Sequence, residues 1–256
     1  MKSLTIAKRE ILSFFVSPVA YFVLAGFILL GAYFFFNMLA MFNIMFQRQQ
    51  MMPYQMGDNN MNLNQWVVEG YYHTMIVILV FLIPLLTMRT FAEEKRRGTF
   101  ELLMTSPLSI FDIVFGKFLG LATIIFVMVL GSVAFPFILI NFGNPEVGPI
   151  FSGAFAVLLC ALSFASIGMA ASSFTENQIV AGVTTMVTLL LLYVIHSPAE
   201  SIGGVAGQVL SYISPVLEAQ DFIKGVISTK GLVYFISLIG LGLFVSQRSL
   251  EAERWR

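Results

Sequence analysis

Glu93, Glu94, Lys95, Arg96 and Arg97 form an unbroken charged run between two stretches that carry almost no charge. A run of both signs catalyses nothing by itself; it can dock on a complementary polar surface or sit in water. Few other residues have chemistry to offer. Ser163, Ser166, Ser172 and Ser173 lie close together, yet none stands in the Gly-x-Ser-Gly setting that a serine nucleophile with a nearby His would want. His73 and His196 are far apart with no clustered Cys or carboxylates, so they make no metal ligand set, and His196 reads as a boundary residue rather than a base. The Gly116-Lys117 pair has Phe111 and Phe118 where a phosphate-binding loop needs its first Gly and its Ser or Thr. Cys160, the one cysteine, lies in an apolar run and reads as a small packing residue.

The elements that hold these residues are set by hydropathy. The chain is 58% hydrophobic and 11% charged, well outside the range of water-soluble domains. Zero net charge and the lack of a basic excess argue against nucleic acid as a partner. About 20 apolar residues in a helix cross the hydrocarbon of a bilayer, and six segments qualify: 19–42, 71–89, 110–140, 150–172, 178–196 and 231–247. The first is too long for a signal-peptide core and is expected to remain as an anchor. The third has Pro136 as its expected kink. The predicted class is an all-α integral membrane protein. Six spans place eleven of the 14 Lys and Arg on the side of the termini and of the 90–109 loop. Both termini are therefore expected in the cytoplasm.

No Asp, Glu, Lys, Arg or His lies deep in an apolar run; Asp112 and Lys117 sit near the cytoplasmic end of the third span, where they are expected to snorkel to water. Proton- and ion-coupled carriers need ionisable groups at midplane depth. Energy for any movement is thus expected from outside the chain.

Within the loop, residues 91–97 are expected to form a short helix on the membrane surface with its charges in water. Gly98 breaks it, Thr99 reads as an N-cap with Glu101 in the first turn, and Phe100, Leu102, Leu103 and Met104 supply apolar contacts. Ser106-Pro107 reads as the N-cap and first residue of the third span. The product is a stiff elbow over 91–107.

The stretch "FAEEKRRGTFELLMTSPLS" resembles the signature of ABC-2-type transporter permeases, through Glu94, Lys95, Arg96, Gly98, Thr99, Glu101, Leu102, Leu103, Thr105, Ser106, Pro107, Leu108 and Ser109. "ISPVLEAQDFIKGVISTKGLVYFISL" is similar to the segment before the family's last span, with Ser228 where the family often has Asp. The resemblance covers essentially the whole chain and is nearest to gliding-motility-associated permeases, related to those of nitrous-oxide-reductase maturation and sodium export. It implies a type V exporter-like topology, with an interfacial N-terminal helix over 1–17 and a coupling helix over 91–107. The interface to a cytoplasmic ATPase dimer would comprise Glu93, Glu94, Arg96, Arg97, Gly98, Thr99, Glu101, Leu102, Leu103, Thr105 and Pro107. A second cytoplasmic contact would fall at Thr175, Glu176 and Asn177. The outer loop 197–230 would hold re-entrant helices around Pro215, Phe222 and Gly225. ATP and Mg²⁺ would bind the partner ATPase, none directly to this chain, which is itself no enzyme. A second transmembrane subunit, identical or carrying a periplasmic domain, and membrane lipids complete the implied partners.

Two readings follow from that resemblance: export of a substrate, or transmission of ATP-driven motion to a periplasmic protein. The spans hold few polar residues (among them Asn37, Thr87, Thr123, Thr184 and Thr188), which suits a hydrophobic substrate, a narrow path or transmission. The outer loop 43–70 follows or includes half of the 14 methionines, Met38 to Met61. Thioethers favour Cu(I), so a copper-related maturation role stands as a further alternative beside contact with a protein or with lipid.

Overall fold

The computed structural model describes residues 2–51, 62–100, 108–142, 145–201 and 204–254, and among these every regular element is helical. In chain order they are α1 (Lys2–Val16), α2 (Pro18–Met51), a π-helical turn (Asn64–Glu69) leading into α3 (Gly70–Thr87), α4 (Ala92–Arg96), α5 (Ile110–Phe142), α6 (Val147–Ser173), α7 (Gln178–Val194), α8 (His196–Ser201), α9 (Gly204–Ile213), α10 (Pro215–Ile223) and α11 (Thr229–Arg254). Six of them, α2, α3, α5, α6, α7 and α11, belong to helical stretches long and apolar enough to cross a bilayer.

α3 and α6 are the inner pair: 67% and 72% of their apolar stretches are buried, against 17% for that of α7 and 22% for that of α11. Lipid is as apolar as Leu, so spans associate through close packing of small residues and through hydrogen bonds. α6 is built for this. The Tyr72 ring lies on Gly153, and Thr87 lies so close to Gly168 that a Cβ there would fall 2.2 Å from the Thr87 hydroxyl oxygen. The Tyr72 hydroxyl donates to the Ile150 carbonyl at 2.6 Å, and that of Tyr71 to Ser132 of α5 at 3.0 Å. On its other side α6 meets α11, where Gly242 sits against Ser166.

α1 ends where Ser17 precedes Pro18, which has no N–H to continue the ladder; the Ser17 N–H closes the helix on Ser13 and Phe14. On α1, Lys8 and Arg9 are exposed and Glu10 is half-buried. The helix packs along α5, with Ile6 and Ser3 over Gly116 and Glu10 over Gly120. Leu4, Leu12, Phe15 and Val16 make its exposed apolar face.

Two boundaries are also revised. The region 43–70 is not loop throughout, because α2 continues as helix through Met51 and the π turn begins at Asn64; Met52, Met56 and Met61 lie outside the described residues. α5 begins at Ile110 and not at Pro107. Its cap is Ser109, whose hydroxyl accepts from the Asp112 N–H at 3.0 Å and donates to the Asp112 carboxylate at 2.6 Å. Pro136 lies inside α5, which runs through it as helix. The 197–230 segment holds three short helices, α8, α9 and α10.

Candidate functional site

The charged run lies at the end of the bundle that carries both termini, and α4 is its helical part. Four other elements hold α4. The Ser172 hydroxyl at the end of α6 accepts from the N–H groups of Phe91 and Ala92, both at 3.1 Å, and donates to the Met88 carbonyl at 3.2 Å. One side chain thus serves the orphan donors of a helix start. The Lys95 ammonium donates to the Ser173 carbonyl and to Glu253 of α11, each at 2.5 Å. The Ser249 hydroxyl joins the same Ser173 carbonyl at 3.0 Å. The third and fourth elements, α1 and α5, reach α4 through Glu94. Its Oε1 accepts from Arg9 of α1 at 3.0 Å and from Lys117 of α5 at 2.9 Å, and Lys117 also donates to Glu10 of α1 at 2.7 Å.

Lys117 does not snorkel to water: its side chain is 2% exposed. Two carboxylates and the face of Phe91, 5.5 Å from the ammonium, replace its hydration. Lys95 is likewise buried, and its ammonium lies 5.5 Å from the Phe100 ring. The expected water-facing helix is therefore half inside the protein. Inward go Glu94, Lys95 and Phe100; outward go Arg96, Arg97, Gly98 and Thr99.

Gly98 has φ 68, a left-handed turn that most side chains resist, and this ends α4. Thr99 is already helical, and its hydroxyl donates back to the Glu94 carbonyl at 3.3 Å, pinning the turn. Arg97 pairs with Glu93 one helical turn earlier. Glu101, Leu102, Leu103, Thr105 and Pro107 lie outside the described residues.

The second expected contact, Thr175, Glu176 and Asn177, forms the turn between α6 and α7. Asn177 caps α7 by accepting from the Ile179 N–H at 2.9 Å, and the Thr175 hydroxyl accepts from the Asn177 N–H at 3.1 Å, while Glu176 is exposed. Since this turn follows Ser172 and Ser173 directly, α6 brings it beside the elbow. Pro215, Phe222 and Gly225 lie along the other half of α6, from its midpoint at Cys160, whose Sγ is 4.0 Å from the Pro215 carbonyl oxygen, to Pro149 near its start. Pro215 opens α10 after its cap Ser214. Phe222 is fully buried between Phe155 and Phe235, and Gly225, at φ 98, lies against Pro149. There the buried Glu218 pairs with Lys230 at 2.6 Å.

Sequence reasoning overlooked the anchors: Glu10, Lys117, Ser172, Ser173 and Glu253. The legible signal for two of them was Gly116-x-x-x-Gly120, a spacing that lets helices approach closely and that places Lys117 at a helix crossing.

The arrangement is an outward-facing polar ridge tied through α4 to four helices. Comparison with curated proteins finds no match. A family model described as "ABC-2 family transporter protein" matches residues 4–243, which takes in the elbow, its anchors on α1, α5 and α6, and all but the last turns of α11. The chain therefore belongs to the ABC-2 family of transporter proteins, as a multi-pass membrane component that is not itself catalytic.

Proposed function

We propose that this chain is the permease subunit of a bacterial ABC-2 exporter, lying in the inner membrane with both termini cytoplasmic. The elbow over 91–107 receives the stroke of a separate cytoplasmic ATPase dimer, which binds ATP and Mg²⁺, and a second transmembrane subunit completes the assembly. The gliding-motility-associated group is the narrower assignment that its elbow sequence favours. The observation that carries the reading is the anchorage of α4. Ser172, Lys95 and the Glu94–Lys117–Glu10 set join it to α6, α11, α5 and α1 at once, so a displacement of the ridge reaches the inner helix α6 directly.

The test is co-purification with the ATPase. Arg96→Glu inverts an exposed charge that pairs with no described residue, and Glu101→Lys inverts the next acid. Each should cut recovery of the ATPase about tenfold or more, since like charges facing each other at an interface cost several kcal/mol, with the permease still folded. Undiminished recovery with both variants removes these residues from the interface.

One observation favours the transmission reading over a polar conduit within the chain. The buried hydroxyls of Ser132, Ser163, Ser166, Thr185 and Ser246 all turn back onto carbonyls three or four residues earlier in their own helices. Their O–H donors are used within the protein, which leaves only acceptor lone pairs for a hydrated solute. In that reading the same stroke moves a periplasmic partner. Transport of a labelled hydrophobic solute by the complete assembly in vesicles would decide for export.

A further inference from the structure

Between α1, the end of α3 and α4 lies a cavity of about 780 Å³. Among the described residues its walls hold four cations, Arg9, Arg89, Arg97 and Lys117, against three carboxylates, Glu10, Glu93 and Glu94. Arg9, Arg97 and Lys117 are each paired with one or more of those carboxylates. Arg89 has no carboxylate partner among the described residues; it only donates to the Ser17 hydroxyl, at 3.2 Å. Among the described residues, the cavity thus carries one positive charge more than its carboxylates balance.

The same walls also concentrate unmet hydrogen bonds. Five buried side-chain polar atoms among the described residues have no partner, and three of them belong here: Arg89 Nε, Thr90 Oγ1 and Glu94 Oε2. Thr90 is only 6% exposed. Buried polar groups are normally paired; these three atoms are themselves covered, so an occupant meets them as the Arg89, Thr90 and Glu94 side chains turn toward the cavity. An anionic acceptor would serve Arg89 and Thr90, and a donor on the same molecule would serve Glu94.

The rim says which molecule. Phe14, Val16 and Leu108 line the cavity beside its charges, and Val16, at 83% exposed, is the most exposed large apolar side chain among the described residues. Val16 ends α1, Pro18 opens the first membrane helix, and Arg89 follows directly on α3. The cavity therefore opens at the boundary between hydrocarbon and headgroups, with an apolar lip for acyl chains.

We propose that this cavity binds the headgroup of a phospholipid whose phosphodiester meets Arg89 and Thr90 and whose terminal ammonium or hydroxyl donates to Glu94. Phosphatidylethanolamine and phosphatidylglycerol have such donors. Phosphatidylcholine, with a fully methylated nitrogen, has none. The site does not depend on the ATPase or on the direction of transport.

The test uses the full-length protein in detergent. It is incubated with an equal mixture of phosphatidylethanolamine, phosphatidylglycerol and phosphatidylcholine of the same acyl chains, re-purified, and its bound lipid identified by native mass spectrometry. One ethanolamine or glycerol lipid should be retained per chain, in about tenfold preference over choline, a factor that one good hydrogen bond supplies. Arg89→Gln should abolish most of that retention, Thr90→Val should weaken it with little change of shape, and Arg89→Lys should keep part of it. Millimolar inorganic phosphate should leave the lipid bound. Equal retention of all three lipids, or retention unaltered in both Arg89→Gln and Thr90→Val, overturns the site. Displacement by inorganic phosphate overturns the lipid assignment in favour of a soluble anion.

Discussion

A buried ammonium between two carboxylates is costly to assemble and costlier to break. Lys117 is held by Glu10 and Glu94, whose side chains are themselves mostly covered. Removing one member of such a set typically costs about 3–5 kcal/mol, whereas replacing all members by neutral groups of similar volume is often neutral or better. Lys117→Met should therefore lower the thermal midpoint in detergent by several degrees, at about 2–4 °C per kcal/mol for a chain of this size. The triple variant Glu10→Gln, Glu94→Gln, Lys117→Met should recover much of that loss while weakening the response to the ATPase. A single variant as stable as the parent would mean that the set is hydrated. The exposed Glu93–Arg97 pair is a contrast: as an i,i+4 surface pair it is worth only about 0.3–0.5 kcal/mol, and its loss should leave stability unchanged within error.

Among the elements, α1 is the one whose place most depends on a few atoms. A Cβ at Gly116 would fall 2.8 Å from both Ile6 Cβ and the Ser3 carbonyl oxygen, and one at Gly120 would fall 2.7 Å from Glu10 Cβ. Gly116→Ala should cost about 1–3 kcal/mol by overpacking and should raise amide hydrogen exchange across α1. Gly26→Ala in α2, where a Cβ meets nothing within 4 Å, is the control and should be neutral or slightly stabilising. Unchanged exchange in Gly116→Ala would mean that α1 is not seated on α5.

The sequence made some of this visible and hid the rest for physical reasons. Six apolar stretches were legible because spanning length is a strong constraint. The turn at Gly98 was legible because only a residue without a side chain takes its backbone angle easily. The seat of α1 was not, since amphipathic patterning assigns Glu10 to water and cannot see that Lys117, more than 100 residues later, lies opposite. Ser172 and Ser173 read as two ordinary hydroxyls at a span end; their work depends on α4 folding back beneath them.

Across the whole molecule, the inner helix α6 joins the two ends, meeting α4 through Ser172 and α10 through Phe155 and Phe222. α7 and α11 leave broad apolar faces outward. Such a body can carry motion from a ridge at one end to short helices at the other. We propose that an external ATPase supplies that motion through the elbow, and site-directed cross-linking is the decisive test. Cys160 is fully buried, so a single introduced thiol is the accessible one among the described residues. A thiol-reactive photo-cross-linker is placed at Arg96→Cys on the ridge and, separately, at Val226→Cys, exposed at the opposite end. A covalent adduct with the co-purified ATPase should form from position 96 and none from position 226. An ATPase that co-purifies intact yet never cross-links from position 96 would contradict it.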